Sequence, residues 1–324
     1  MAVLALAWTV TLSATSHAEE FHLEDGSVVV AAYIGEANGE IHILDSSGER
    51  TLARSAVTRI RWTPVENDDL RRRAASKREK FHDRRVREIR KLVGKLAKAS
   101  TSQRESLEAE ITRYAELERI PVFAKSVVSR HEHVREFTLT QLAAMDRIEA
   151  VAPLVLGAIG IRDAEFTDRA HLAALKVQPE LTRLLYEYAG GIPMQAEARL
   201  QAFDRLGRMG DRDAGESLIV TYHALGLEAE IQHAKKIGAR QRPLSLGNTQ
   251  LTVELPVVSY FKTSTNLRYK PAEIERLRNG AIAALEKISG EPLGHDLAAW
   301  TDWWKEYRAK RDERPPGKKP SRPG

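Results

Sequence analysis

Two thirteen-residue stretches decide the fold: HVREFTLTQLAAM at 133–145 and EARLQAFDRLGRM at 197–209. Laid over each other, they align Arg135 with Arg199, Leu139 with Phe203 and Leu142 with Leu206, and the register continues to Leu154 and Val155 against Leu218 and Ile219. The offset is 64 residues, two units of 32, and Arg169 falls between, 34 after the first arginine and 30 before the second. The surrounding sequence predicts eight short amphipathic helices and no strands, near 119–130, 132–145, 148–160, 165–176, 178–190, 195–209, 212–226 and 228–240. A period of this size with two helices per unit reads as an α-solenoid, because one helix pair cannot bury its own apolar face and stacked neighbours can.

The second helix of each unit opens on a polar residue followed by an arginine, as in His133-Val134-Arg135-Glu136 and Asp168-Arg169-Ala170. On these residues the stretch 119–243 resembles HEAT repeats, with Arg135, Arg169 and Arg199 at the recurring structural position. The resemblance implies a binding scaffold rather than an active site. Downstream, Ile288-Ser289-Gly290, Gly294-His295-Asp296, Trp300 and Trp303-Trp304 resemble a terminal motif of exported bacterial HEAT-repeat proteins.

Towards the N-terminus the character changes. Turn dipeptides Asp25-Gly26, Asn38-Gly39 and Ser47-Gly48 separate short β-branched runs in which Val28 and Val30, then Ile41 and Ile43, alternate. Five short strands are expected over 19–63, a size that is marginal unless it leans on a neighbour. The pattern at 23–57 resembles the SH3-like barrel of endocytic adaptors, which implies a small closed barrel and, more weakly, peptide binding. Residues 64–118 then predict a helical hairpin. Its first helix carries the apolar stripe Ile89, Leu92, Val93, Leu96, and its second opens on a capping box of Ser102 and Glu105 before Leu107, Ile111, Tyr114 and Leu117.

Beyond the repeats, 244–269 returns to β alternation and reads as a hairpin insert, with Pro256 at an edge or turn. Residues 270–310 predict two capping helices, the first from Pro271 to Ser289 with Gly290 as its stop. The basic, Pro-rich tail 311–324 is too polar to fold. The expected chain is therefore mainly α: a HEAT-like solenoid with a small N-terminal SH3-like β-barrel and a helical hairpin.

Composition bounds the chemistry. The chain has 324 residues and no cysteine, which excludes disulfides, thiolate-held metals and a thiol nucleophile. Residues 2–15 are uncharged and end in Ser16-His17-Ala18, so 1–18 reads as a signal peptide cleaved after Ala18, although no Lys or Arg precedes the apolar run; the other reading is a buried N-terminal strand. Fourteen residues are too few to span a bilayer. The expected location is periplasmic or secreted, with no transmembrane span.

Motif searches return little. The sequence holds no G-x-S-x-G, no phosphate-binding loop and no dinucleotide fingerprint. His131-Glu132-His133 lacks the i, i+4 spacing of a zinc helix, because Arg135 stands four after His131, and it reads as an inter-helix turn. No catalytic, cofactor-binding or metal residues are assigned; an enzyme would have to rest on scattered carboxylates such as Glu136 and Asp168.

Charge is the more informative feature. The net +5 hides a segment, 71–98, with thirteen basic residues against three acids, a net +10. Arg71, Arg72, Arg73, Arg84 and Arg85 are the candidate polyanion contacts here. Interleaved Glu79, Asp83 and Glu88 favour the alternative of a solvated helix face. Trp300, Trp303 and Trp304, at i, i+3 and i+4, read as a hydrophobic lid on the end of the solenoid in preference to a sugar-stacking stripe. The function expected is a non-catalytic exported scaffold that binds a protein or peptide through the solenoid. The alternative is an envelope-surface binder that holds anionic polymer or lipid through helix 71–98 and the tail. An exported location argues against nucleic acid as partner.

Overall fold

The computed structural model describes residues 17–64, 68–192, 194–236 and 269–312. Residues 1–16 of the expected leader, nearly all of the expected hairpin insert and the tail after Asp312 lie outside them. The chain divides into two compact units at Thr140 and Gln141.

The first unit opens with an antiparallel sheet of β1 (His17–Leu23), β2 (Val28–Ala37), β3 (Glu40–Asp45), β4 (Gly48–Ala53) and β5 (Val57–Pro64), in the order β4-β3-β2-β1-β5. Two turns fall at the predicted Asp25-Gly26 and Asn38-Gly39, and the third at Ser46-Ser47, one residue before the predicted Ser47-Gly48. Asn38 and Gly39 both take positive φ, 55° and 77°, the conformation a two-residue hairpin requires. Asp25 and Asp45 each accept the backbone N–H two residues on, at 2.9 and 2.8 Å. The expected cleavage point after Ala18 falls inside β1, where Ala18 pairs with Ala32 on one side and Thr63 on the other.

The sheet is open, which corrects the expected closed barrel: β4 and β5 are its two edges. The reason is that both faces carry apolar residues. Phe21, Ala31, Ile41, Ile43 and Val57 cluster together on one. Ala32, Ile34 and Leu44 form another cluster with Ala74 and Phe81 of α1 (Asp68–Leu96), so a helix covers what a closed barrel would leave wet. The Val28 and Val30 alternation marks positions that stay 48% and 59% exposed, not core.

The 29-residue α1 packs against β2, α2 (Thr101–Thr112) and α3 (Glu116–Ser126), and the one helix expected after it, through Leu107, Ile111, Tyr114 and Leu117, is two, since Arg113 ends α2 and Ala115 caps α3. The cap sits two residues earlier than expected. Gln103 Oε1 accepts the Ser100 N–H at 3.3 Å, because Thr101 already has helical geometry and the free N–H groups belong to the preceding turn. Then α4 (Glu132–Ala144) follows, with Phe137 edge-on to Phe123 of α3 at 5.8 Å.

The second unit is helical: α5 (Val151–Gly160), α6 (Ala164–Val177), α7 (Pro179–Gly191), α8 (Ala196–Met209), α9 (Gly215–Lys236), α10 (Pro271–Ser289) and α11 (Leu297–Asp312). Two predicted helices, 212–226 and 228–240, are one continuous α9. Gly226 does not break it, since a glycine costs a helix only about 1 kcal/mol and this one lies against the Arg278 guanidinium of α10. Neighbours do not follow strict chain order: α10 packs on both α8 and α9. The chain is mainly helical with an N-terminal open antiparallel sheet. Phe203 of α8 sits between Gly190 of α7 and Gly280 of α10; a Cβ at Gly190 would stand 2.7 Å from its ring. That close approach is what the aligned position Leu139/Phe203 supports in this unit.

Candidate anion-binding face

On α1 the buried side is set by Ala74, Phe81, Arg85, Ile89, Leu92 and Leu96. Phe81 is the anchor. It seats on Gly35 of β2, where an added Cβ would come within 2.5 Å of its ring, and packs on His42 of β3 at 4.9 Å. The pairing of β2 with β3 shifts register between Tyr33 and Gly35, and Arg78 donates to the Tyr33 carbonyl at 2.7 Å, so the irregular stretch of β2 receives the helix.

With that side fixed, Lys77, Lys80, Arg84, Arg87 and Lys91 fall on one adjoining arc. Their spacing of 3, 4, 3 and 4 residues places them within about 80° of the helix circumference. They line a groove of about 670 Å³ with Phe81, Glu88 and, from β4, Glu49. Glu49 pairs with Lys77. Glu88 is engaged by Arg85 at 3.7 Å and by the Tyr114 hydroxyl at 3.4 Å. Among the described residues no carboxylate pairs with Lys80, Arg84, Arg87 or Lys91, so the groove keeps a positive surplus.

The sequence-expected contacts scatter around this face. Arg84 lies on it, its guanidinium 5.4 Å from the Phe81 ring centre. Arg85 does not: it is 8% exposed, 3.4 Å from Glu118 of α3, and its guanidinium lies 4.0 Å over the Tyr114 ring. Its spacing from Phe81 and Ile89 puts it on the apolar stripe, where it joins α1 to α3 instead of meeting a ligand. Arg72 and Arg73 are exposed, the latter 4.0 Å from Asp69, and the Arg71 side chain lies outside the described residues. Lys77, Lys80, Arg87 and Lys91 were within the counted charge but not singled out; the signal that finds them is the repeat of three and four in the basic positions themselves.

The other named residues serve as structure. Arg135 donates to the Ser129 carbonyl in the turn after α3 at 3.0 Å, and Arg199 to the Gly190 carbonyl near the end of α7 at 2.8 Å, each tying its helix to the chain just before it. Arg169 differs: it is exposed and lies 5.9 Å from the Phe166 ring. Trp300 is fully buried with its indole N–H donated to the Gly294 carbonyl at 2.8 Å. Trp304 is buried and Trp303 half-buried, both against Gly215 at the start of α9, and one face of Trp303 stacks on Tyr307.

His133 donates to the Leu96 carbonyl at 2.8 Å, which holds the turn before α4 against the end of α1. Among the described residues no three His, Asp or Glu side chains gather where a metal would bind. Asp168 accepts from Arg205 and Arg208, and the Arg205 hydrogen bond holds its carboxyl below the usual range, which suits an ion pair and not a base. Glu136 lies half-buried in α4, on a different unit from Asp168. Sequence reasoning missed one buried polar pair: His171 Nδ1 and the Tyr186 hydroxyl share a hydrogen bond of 2.9 Å. Burial, aided by the nearby Arg205, pushes the imidazole down to about 4, so it is neutral at ordinary pH.

No family model, curated protein or solved structure matches the chain. Among the described residues no helix is long and apolar enough to cross a membrane.

Proposed function

We propose that the chain is a non-catalytic binding protein of the cell envelope whose anionic ligand lies on the basic arc of α1. The observation that carries this reading is the row from Lys77 to Lys91, five cations on one arc with only Lys77 paired across the groove. Clustered cations without facing acids attract polyanions at long range, whereas cations matched by neighbouring carboxylates do not. The exported location rests on the leader-like residues 2–18. Helices α3 to α9 are read as a HEAT-like array, supported by the shared role of Arg135 and Arg199. Retention on a heparin column tests the proposal. Lys80→Gln/Arg84→Gln/Arg87→Gln is expected to elute at markedly lower salt, while Arg90→Gln/Lys98→Gln/Lys125→Gln, which removes the same charge elsewhere, is not. Equal elution of the two variants overturns it.

A second reading, a scaffold for a protein or peptide, is favoured by Leu172 of α6 and Leu184 of α7, 63% and 43% exposed. Isolated exposed leucines are common, so it ranks second. It requires that Leu172→Glu/Leu184→Glu lose an envelope partner while keeping heparin retention.

A further inference from the structure

We infer that the ligand of the α1 face is a linear acidic polysaccharide carrying about one anion per sugar, bound along the helix axis; this rests on the anion-binding reading above. The spacing of the cations singles out this ligand. The arc extends past the groove in both directions, to Arg73 four residues before Lys77 and to Lys95 four residues after Lys91, both exposed. At about 1.5 Å rise per residue the seven cations cover about 33 Å, one every 5 to 6 Å. Between Arg73 and Lys95 the arc itself carries no acid: Glu79 lies well round the helix, while Asp83 and Glu88 flank the arc, about 40° and 20° beyond its two edges, with Glu88 turned to Arg85.

A duplex nucleic acid presents a charge about every 1.7 Å and a stacked single strand about every 3.4 Å, denser than this row. Single strands are also held by stacking on exposed aromatic rings. The groove's one aromatic, Phe81, is 7% exposed and committed to Gly35 and His42. A lipid surface suits a flat basic face with apolar side chains able to enter the acyl boundary. Here Glu49 and its strand rise beside the cations to make a channel, and no exposed apolar side chain lines it. A polysaccharide advances by about one ring length per sugar, so an acid on every sugar meets a cation at nearly every step. Its uncharged hydroxyls suit Glu49 and Glu88, which repel a denser polyanion and accept hydrogen bonds from a sugar.

Oligogalacturonates of two to about twelve sugars, their methyl esters, oligothymidylates and phosphatidylglycerol vesicles, titrated against the full chain, provide the test. Affinity is expected to rise with length to about seven sugars and then level off, and the esters should not bind. Lys80→Gln/Arg84→Gln/Arg87→Gln should weaken the longest oligomer by about tenfold or more and flatten its salt dependence by about two to three ion equivalents, with far-ultraviolet circular dichroism and melting unchanged. Binding that does not grow with length, or tighter binding of oligothymidylate or vesicles, overturns the polysaccharide; if heparin retention still depends on Lys80, Arg84 and Arg87, the anion-binding reading survives. If the variant binds every probe as well as the parent chain, both fall.

Discussion

The two units hold arginines in different settings. In the helical unit three of them turn inward, Arg199 to the Gly190 carbonyl, Arg205 to the Thr167 hydroxyl at 2.9 Å and Arg183 to the Asp211 carboxylate at 3.1 Å, while Arg162, Arg169 and Arg208 stay exposed. On α1 the basic side chains mostly turn outward, and Arg78, on the Tyr33 carbonyl, and the buried Arg85 are the exceptions that behave like those three. The number of arginines therefore predicts nothing by itself. What separates an outward-facing cation from a structural one on α1 is whether it shares an arc with the apolar stripe or with other cations.

Several substitutions would break or sharpen this contrast. The largest effect is expected away from charge altogether. Trp300→Ala empties a fully buried site and should cost about 4 kcal/mol, read as a shift in chemical denaturation midpoint at constant slope. Next is Arg85→Ala. Because it leaves Glu118, with about 10% side-chain exposure, without its partner, the loss should be about 3 kcal/mol, with heparin retention little changed in the folded fraction. A loss of retention without a loss of stability would move Arg85 back among the ligand contacts.

An effect of similar size follows from His171. Its folded pKa is depressed to about 4 from an ordinary 6.5, so the unfolded chain binds the proton more readily. Stability contributed by the neutral imidazole is full above about pH 6.5 and falls as the pH drops towards 4, by about 3 kcal/mol. His171→Gln should lessen that slope, seen in melts at pH 7 and pH 5. The smallest stability change belongs to the exposed face. Lys80→Gln/Arg84→Gln/Arg87→Gln should shift stability by under about 0.5 kcal/mol, and a larger loss in thermal unfolding would mean that the arc is structural after all.

Much of the helix layout was legible. The apolar periodicity placed α4, α6, α7, α8 and α10 to within a residue or two of their ends, and the turn dipeptides placed every hairpin of the sheet. The failures share a cause, which is tertiary contact. Gly226 looks like a break until Arg278 lies beside it. An open sheet looks like a barrel until α1 covers its second face. His171 and Tyr186 are fifteen residues apart on different helices, with no pattern to join them. The site was legible in part: the charge of 71–98 was counted, but five arginines were chosen by clustering in sequence when position around the helix decides exposure.

The seat of Phe81 on Gly35 acts as a keyway. A helix can slide or roll on a sheet at modest cost when its contact side chains are interchangeable, but one aromatic ring locked over a position that tolerates no Cβ fixes both translation and azimuth. A shift of one residue at that point would roll the row of cations by about 100° and carry it to a different side of the helix. Insertions or deletions between Phe81 and Lys91 should therefore be far more damaging to ligand binding than changes of equal size in the turn between Leu96 and Thr101, where only chain continuity is at stake.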